Sequence, residues 1–76
     1  MMSMEHQKTA CYRIVAELAS RHVTIRGLAT RTGIRRETLS RWIYCESRMP
    51  IDGLCIIAKE LGKPVEFFLT PRKKEQ

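Results

Sequence analysis

Seven arginines lie between Arg21 and Arg48, at positions 21, 26, 31, 35, 36, 41 and 48, against Glu37 and Glu46. That third of the 76-residue chain holds +5 of the +6 formal charge, and all five lysines fall outside it. A solvated basic face usually mixes the two cations. Arginine is the one whose planar fork pairs bidentately with phosphate oxygens and base edges, whereas lysine acts as a point charge. An arginine-only segment therefore points to an anionic partner. In GIRRETLSRW, residues 33–42, Arg35 and Arg36 follow a glycine where a helix begins. Cations there oppose the partial positive charge of a helix N-terminus by roughly 0.3–1 kcal/mol. Something else must compensate.

Other chemistries find little support. Cys11, Cys45 and Cys55 form no CxxC and leave one thiol over, and His6 and His22 add no ligand-like spacing, so neither a disulfide framework nor a metal site is expected. No nucleophile–base pair stands at a plausible spacing, and a core this small leaves little room for a catalytic cleft. No catalytic residue, enzymatic activity, cofactor or small-molecule ligand is expected. No apolar run reaches membrane-spanning length, and Met1 to Gln7 is polar apart from its methionines, so the chain reads as cytosolic, in a bacterial nucleoid-associated setting.

The elements that position these arginines are helical. An apolar share of 43% suffices for one core. Cys11, Ile14, Val15 and Leu18 recur at i, i+3, i+4 and i+7, which predicts a first helix over about Lys8–Ser20. Arg13, Glu17 and Arg21 repeat every four residues on its outside and read as a solvated face. Thr24 caps a second helix with Ile25, Leu28 and Ala29 inward, and Gly33 ends it. Gly27, inside that helix, reads equally as a site of close approach or a tolerated weak spot. A third helix is expected over about Arg35–Tyr44, with Thr38, Leu39 and Trp42 inward and Ile43 flanking them. Arg36, Glu37, Ser40, Arg41 and Tyr44 point outward. Pro50 opens a fourth helix, about 50–61, whose buried stripe is Ile51, Leu54, Ile57, Ala58 and Leu61, and Gly62 ends it. Pro64 opens a short fifth to about Leu69. The expectation is a single all-α domain, ordered over about 8–70, with polar tails at 1–7 and 71–76.

Two short helices joined by a glycine turn, the second with an arginine-rich face, make a helix-turn-helix. LATRTGIRRETLSRW followed by LCIIAKELGKPVEFFL resembles the lambda-repressor-like, Cro-type helix-turn-helix family, XRE-like, over about Val23 to Leu69 without a gap. Its most specific elements are Leu28-Ala29, Gly33, Thr38-Leu39-Ser40-Arg41 and Ala58-Lys59-Glu60-Leu61-Gly62. The resemblance implies a compact five-helix domain whose third helix reads the major groove while the second crosses the backbone. By the same implication Arg36, Glu37 and Arg41 meet base edges. Thr38 and Ser40 make closer or phosphate contacts, Thr24, Arg26 and Arg35 are secondary contacts, and Tyr44 and Arg48 meet the backbone. A DNA phosphate at the start of the third helix favours both its dipole and the arginines there. Glu37, one turn before Arg41, either orients that arginine or accepts from a cytosine amino group.

The sequence departs from the family at four places. Arg35 stands where a serine or threonine cap is preferred, so this helix start lacks a side-chain acceptor. Ile25 replaces a polar residue that touches phosphate. Ile43 replaces an acidic residue paired to the first helix, and is expected to pack on that helix near Leu18. Cys45 fills a glycine position, and with no partner cysteine adjacent in sequence it reads as a loop substitution rather than a redox thiol.

The function implied is a sequence-specific regulator of transcription that binds double-stranded DNA at a palindromic operator, a small repressor or Cro-like protein of phage or mobile-element type. An antitoxin that also binds a partner protein is the alternative. RNA binding is disfavoured by the lack of stacking aromatics on a sheet or a GXXG loop. Phe67, Phe68 and Leu69 span about 200° of a short helix, more than one core-facing stripe absorbs. Related repressors pair through this region, so a weak homodimer is expected there, with Phe67 facing outward.

Overall fold

Residues 3–70 are described by the computed structural model, which holds five helices: α1, Met4–Ser20; α2, Ile25–Thr32; α3, Arg36–Ile43; α4, Ile51–Leu61; and α5, Val65–Leu69. Residues 1–2 and the tail 71–76 lie outside the described residues.

α1 begins at Met4, not at Lys8. The Ser3 hydroxyl oxygen accepts from the His6 backbone N–H at 3.1 Å, and Glu5 lies in the positive first turn. The added turn also brings Gln7 onto the face of Ala10, Cys11, Ile14 and Leu18, and Gln7 is fully buried. The polar stretch read as a tail thus continues the helix from Met4 onward.

Helix ends explain much of the path. Gly33 (φ +79°) and Gly62 (φ +70°) end α2 and α4 in the left-handed region, as expected. α1 and α3 end the same way without glycine, on His22 (φ +57°) and Cys45 (φ +59°). After α1, Val23 N–H donates to Leu18 C=O at 2.9 Å and His22 N–H to Ala19 C=O at 3.2 Å. After α3, Glu46 N–H donates to Arg41 C=O at 2.8 Å and Cys45 N–H to Trp42 C=O at 3.1 Å. Each pair satisfies carbonyls that a helix end leaves without partners.

The core gathers Ile14, Leu18, Leu28, Leu39, Ile43, Met49, Leu54, Ile57, Leu61 and Phe68. Three expected orientations need correction. Ile51 is exposed at 41%, because at 100° per residue it lies about 90° from the middle of the buried arc of α4. Gly53 is buried instead, facing the Trp42 ring. On α3 the buried arc centres on Leu39 and Ile43, leaving Thr38 and Trp42 half-buried. Ile43 packs against α1 beside Cys11, Tyr12 and Val15.

The charged outer face of α1 is not simply solvated either. Arg21 Nη2 donates to Leu61 C=O at 2.6 Å, satisfying the last carbonyl of α4, while its Nε pairs with Glu17 at 3.1 Å. Arg13 Nη2 donates to Thr70 C=O at 3.2 Å, and its guanidinium stands 4.9 Å from the centroid of the Phe67 ring. These two arginines tie α1 to the C-terminal ends of α4 and α5.

Candidate nucleic-acid interface

α2, the Gly33 turn and α3 form the helix-turn-helix, and their shared buried side puts Leu28 and Ala29 beside Leu39 and Ile43 in one core. With those residues inward, Glu37 and Arg41 are left exposed on the outer arc of α3 and Tyr44 at its C-cap, while Arg36, in line with Ile43 by helical phase, is exposed because it opens the helix. Tyr44 is the most open of the exposed large apolar residues, at 65%. Thr38 and Ser40 border this arc and are half-buried. On α2, Thr24 spends its hydroxyl oxygen on the Gly27 backbone N–H at 3.0 Å, which leaves the hydroxyl proton for an acceptor outside. Arg26 and Arg31 are exposed. Ile25 is partly buried against the core, which is what an apolar residue at that site can do and a polar one need not.

The N-terminus of α3 gathers positive charge. Arg35 is its N-cap, in extended conformation and without a side-chain hydrogen bond to the helix. The first-turn N–H groups of an α-helix have no intrahelical acceptors. Here they sit with two exposed arginines and with Glu37 as the acidic residue of the first turn. Such an end favours an anion by geometry and by charge together. Among the described residues Glu37 forms no ion pair with Arg41. Both α3 side chains are thus presented outward unpaired.

Behind α3 stands a residue that the sequence reading passed over. Gln7 Nε2 donates to Trp42 C=O at 2.9 Å and to Ser47 C=O at 2.8 Å. Its Oε1 accepts from the Met49 backbone N–H at 2.9 Å. One amide therefore holds the end of α3 and both chain neighbours of exposed Arg48. The signal was available: Gln7 falls three and four residues before Ala10 and Cys11, on the buried face.

The expected interface on α5 narrows. Phe68 is completely buried and packs edge-on against Phe67, ring centroids 5.1 Å apart, so Phe68 belongs to the monomer's core and not to a surface. Phe67 and Leu69 are half-buried. The Phe67 ring carries Arg13 on one contact and the Lys63 ammonium, 4.8 Å from its centroid, on another. Among the described residues no helix is long and apolar enough to cross a membrane.

Residues 13–66 match the family model described as Cro/C1-type HTH DNA-binding domain. No curated protein and no solved structure matches the chain.

Proposed function

The chain belongs to the Cro/C1-type helix-turn-helix DNA-binding family, and on that premise we propose that it regulates transcription by reading one duplex sequence with α3. One observation carries the reading: Glu37 and Arg41 project from one exposed arc of a helix whose first residue, Arg36, is also exposed and whose N-terminus is uncapped by any side chain. In the major groove Arg36 and Arg41 offer two forked donors for guanine O6 and N7, and Glu37 one acceptor for a cytosine amino group. Thr24, Arg26, Arg35, Thr38, Ser40, Tyr44 and Arg48 surround it as contacts to phosphate and sugar, which set register and supply most of the salt-dependent affinity.

We further propose that two copies meet on DNA across α5, with Phe67 and Leu69 at the seam. The recognition helices of such a dimer enter successive major grooves about 34 Å apart, so the operator is a palindrome. Arg13 and Lys63 beside Phe67 make free copies repel, and the dimer forms on the operator rather than before it. Occupied promoter DNA is blocked DNA, which makes repression the simplest output.

Selection from random duplex DNA tests the reading. A single enriched palindromic motif with guanines at the α3 contact positions is expected. Recovery of unrelated sequences at equal affinity, or a preference for single-stranded RNA, contradicts it.

A further inference from the structure

We propose that Cys11 and Cys45 form a dithiol that a peroxide closes into an intramolecular disulfide, tying α1 to the end of the recognition helix. The two residues are far apart in sequence, and the fold brings them to one carbonyl. Cys11 Sγ donates to Trp42 C=O at 3.2 Å, and Cys45 N–H donates to the same oxygen at 3.1 Å. Both line one cleft of about 400 Å³, together with the exposed Tyr12 and Tyr44.

The position of Cys45 is the second observation. At φ +59° it occupies the left-handed C-terminal position of α3, where a side chain strains the backbone and glycine fits without cost. The half-buried Cys45 side chain packs against the core at this strained position. There it lines the same cleft as Cys11.

The two thiols differ in a way that assigns their roles. Cys11 is buried, and burial first, then the neighbouring Cys45, pushes its pKa up to about 12. It stays a neutral thiol at ordinary pH and is shielded from direct attack. Cys45, half-buried where Cys11 is buried, is the more accessible thiol and reacts first. Its sulfur attacks hydrogen peroxide, the O–O bond breaks, one water leaves, and Cys45 carries S–OH. Cys11 Sγ then attacks Cys45 Sγ; the S–O bond breaks and the hydroxyl leaves as a second water with the Cys11 proton. The balance is two thiols and one peroxide to one disulfide and two waters. Exposed Cys55 takes no part.

The reaction is independent of DNA binding, and its test needs no operator. Full-length Cys55→Ser protein, fully reduced, is treated with hydrogen peroxide, and its intact mass, non-reducing peptide map and melting temperature are recorded. The expected product is a monomer that has lost two hydrogens, with Cys11 and Cys45 in one bridged peptide pair. Its melting temperature is about 10 °C or more above that of the reduced protein, since the bridge closes a long loop in the unfolded chain. Dithiothreitol reverses both changes. Cys45→Gly in the same background folds, because glycine suits that φ, and loses no hydrogens. Any product in which Cys11 keeps a free thiol overturns the proposal, whether Cys45 is unreacted, oxidised to a sulfinic acid or bridged to a second chain.

Discussion

Gln7→Ala removes one amide and strands three backbone groups at once. The lost bonds run to Trp42 C=O, Ser47 C=O and Met49 N–H. Each contributes about 0.5–1.5 kcal/mol net, and a buried donor left unpaired costs about 1–3 kcal/mol. Trp42 C=O retains Cys11 Sγ and Cys45 N–H as donors, so little of the damage falls there. Met49 is completely buried, so its N–H has no access to water. The sum is a loss of about 2–4 kcal/mol, a large share of the roughly 4–11 kcal/mol that a chain of this length commands. A melting temperature about 10–25 °C lower is expected by calorimetry or circular dichroism. Gln7→Glu adds a sign. The mutant carboxylate is buried and faces two carbonyl oxygens, so its folded pKa lies above the unfolded value of about 4.3. Its destabilisation is therefore full at neutral pH and shrinks as the pH falls through the folded pKa, where the protonated acid becomes a donor. A Gln7→Ala protein within about 0.5 kcal/mol of the parent would show that water reaches this amide, and the anchoring of the Arg48 loop by α1 would be refuted.

The remaining predictions concern packing and assembly. Ile43→Ala lowers stability by about 2–4 kcal/mol in urea titration, because Ile43 is 6% exposed against α1, and a loss under about 1 kcal/mol would put it at the surface. Gly53→Ala destabilises although alanine is the better helix former, because its Cβ falls 2.7 Å from the Trp42 ring; a shifted Trp42 emission accompanies it. Gly27→Ala gains up to about 1 kcal/mol instead, since a Cβ there meets its neighbours at 3.4 Å; a lower melting temperature counts against this. Phe67→Asp leaves the monomer folded and abolishes the 2:1 complex in sedimentation with operator DNA; unchanged stoichiometry removes α5 from the interface.

What the sequence made legible follows from locality. Apolar periodicity in α1, α2 and α4 and the left-handed glycines at 33 and 62 are decided within a few residues of chain, and they lie where expected except that Val15 and Ile51, at the margins of their stripes, are exposed. The exposure of Glu37 and Arg41 followed from helical phase once Leu39 faced inward, whereas the centre of the buried arc lies nearer Ile43 than Thr38 and Trp42 suggested, and Arg36 is exposed because it opens the helix. What escaped involves partners distant in sequence. Gln7 reads as tail because its three partners lie beyond residue 41. Arg13 and Arg21 read as solvated because Thr70 and Leu61 come near only after α1 packs on α5 and α4. Cys45 reads as unpartnered for the same reason, since Cys11 lies on another helix. Phe68 was assigned to a surface because a phase argument over one short helix fixes the width of an apolar arc, not its centre.

The central claim, that α3 reads bases while the residues around it hold phosphate, is most directly tested by comparing three alanine variants on the selected operator and on random duplex DNA. Arg36→Ala and Arg41→Ala are each predicted to lose about 1–3 kcal/mol on the operator, to lose much less on random DNA, and to relax preference at one or two base pairs. Arg48→Ala is predicted to weaken both DNAs alike and to reduce the slope of log K against log salt by about 1. Equal losses on operator and random DNA for Arg36→Ala and Arg41→Ala would mean that these arginines touch only phosphate, and the assignment of α3 as the reading helix would be contradicted.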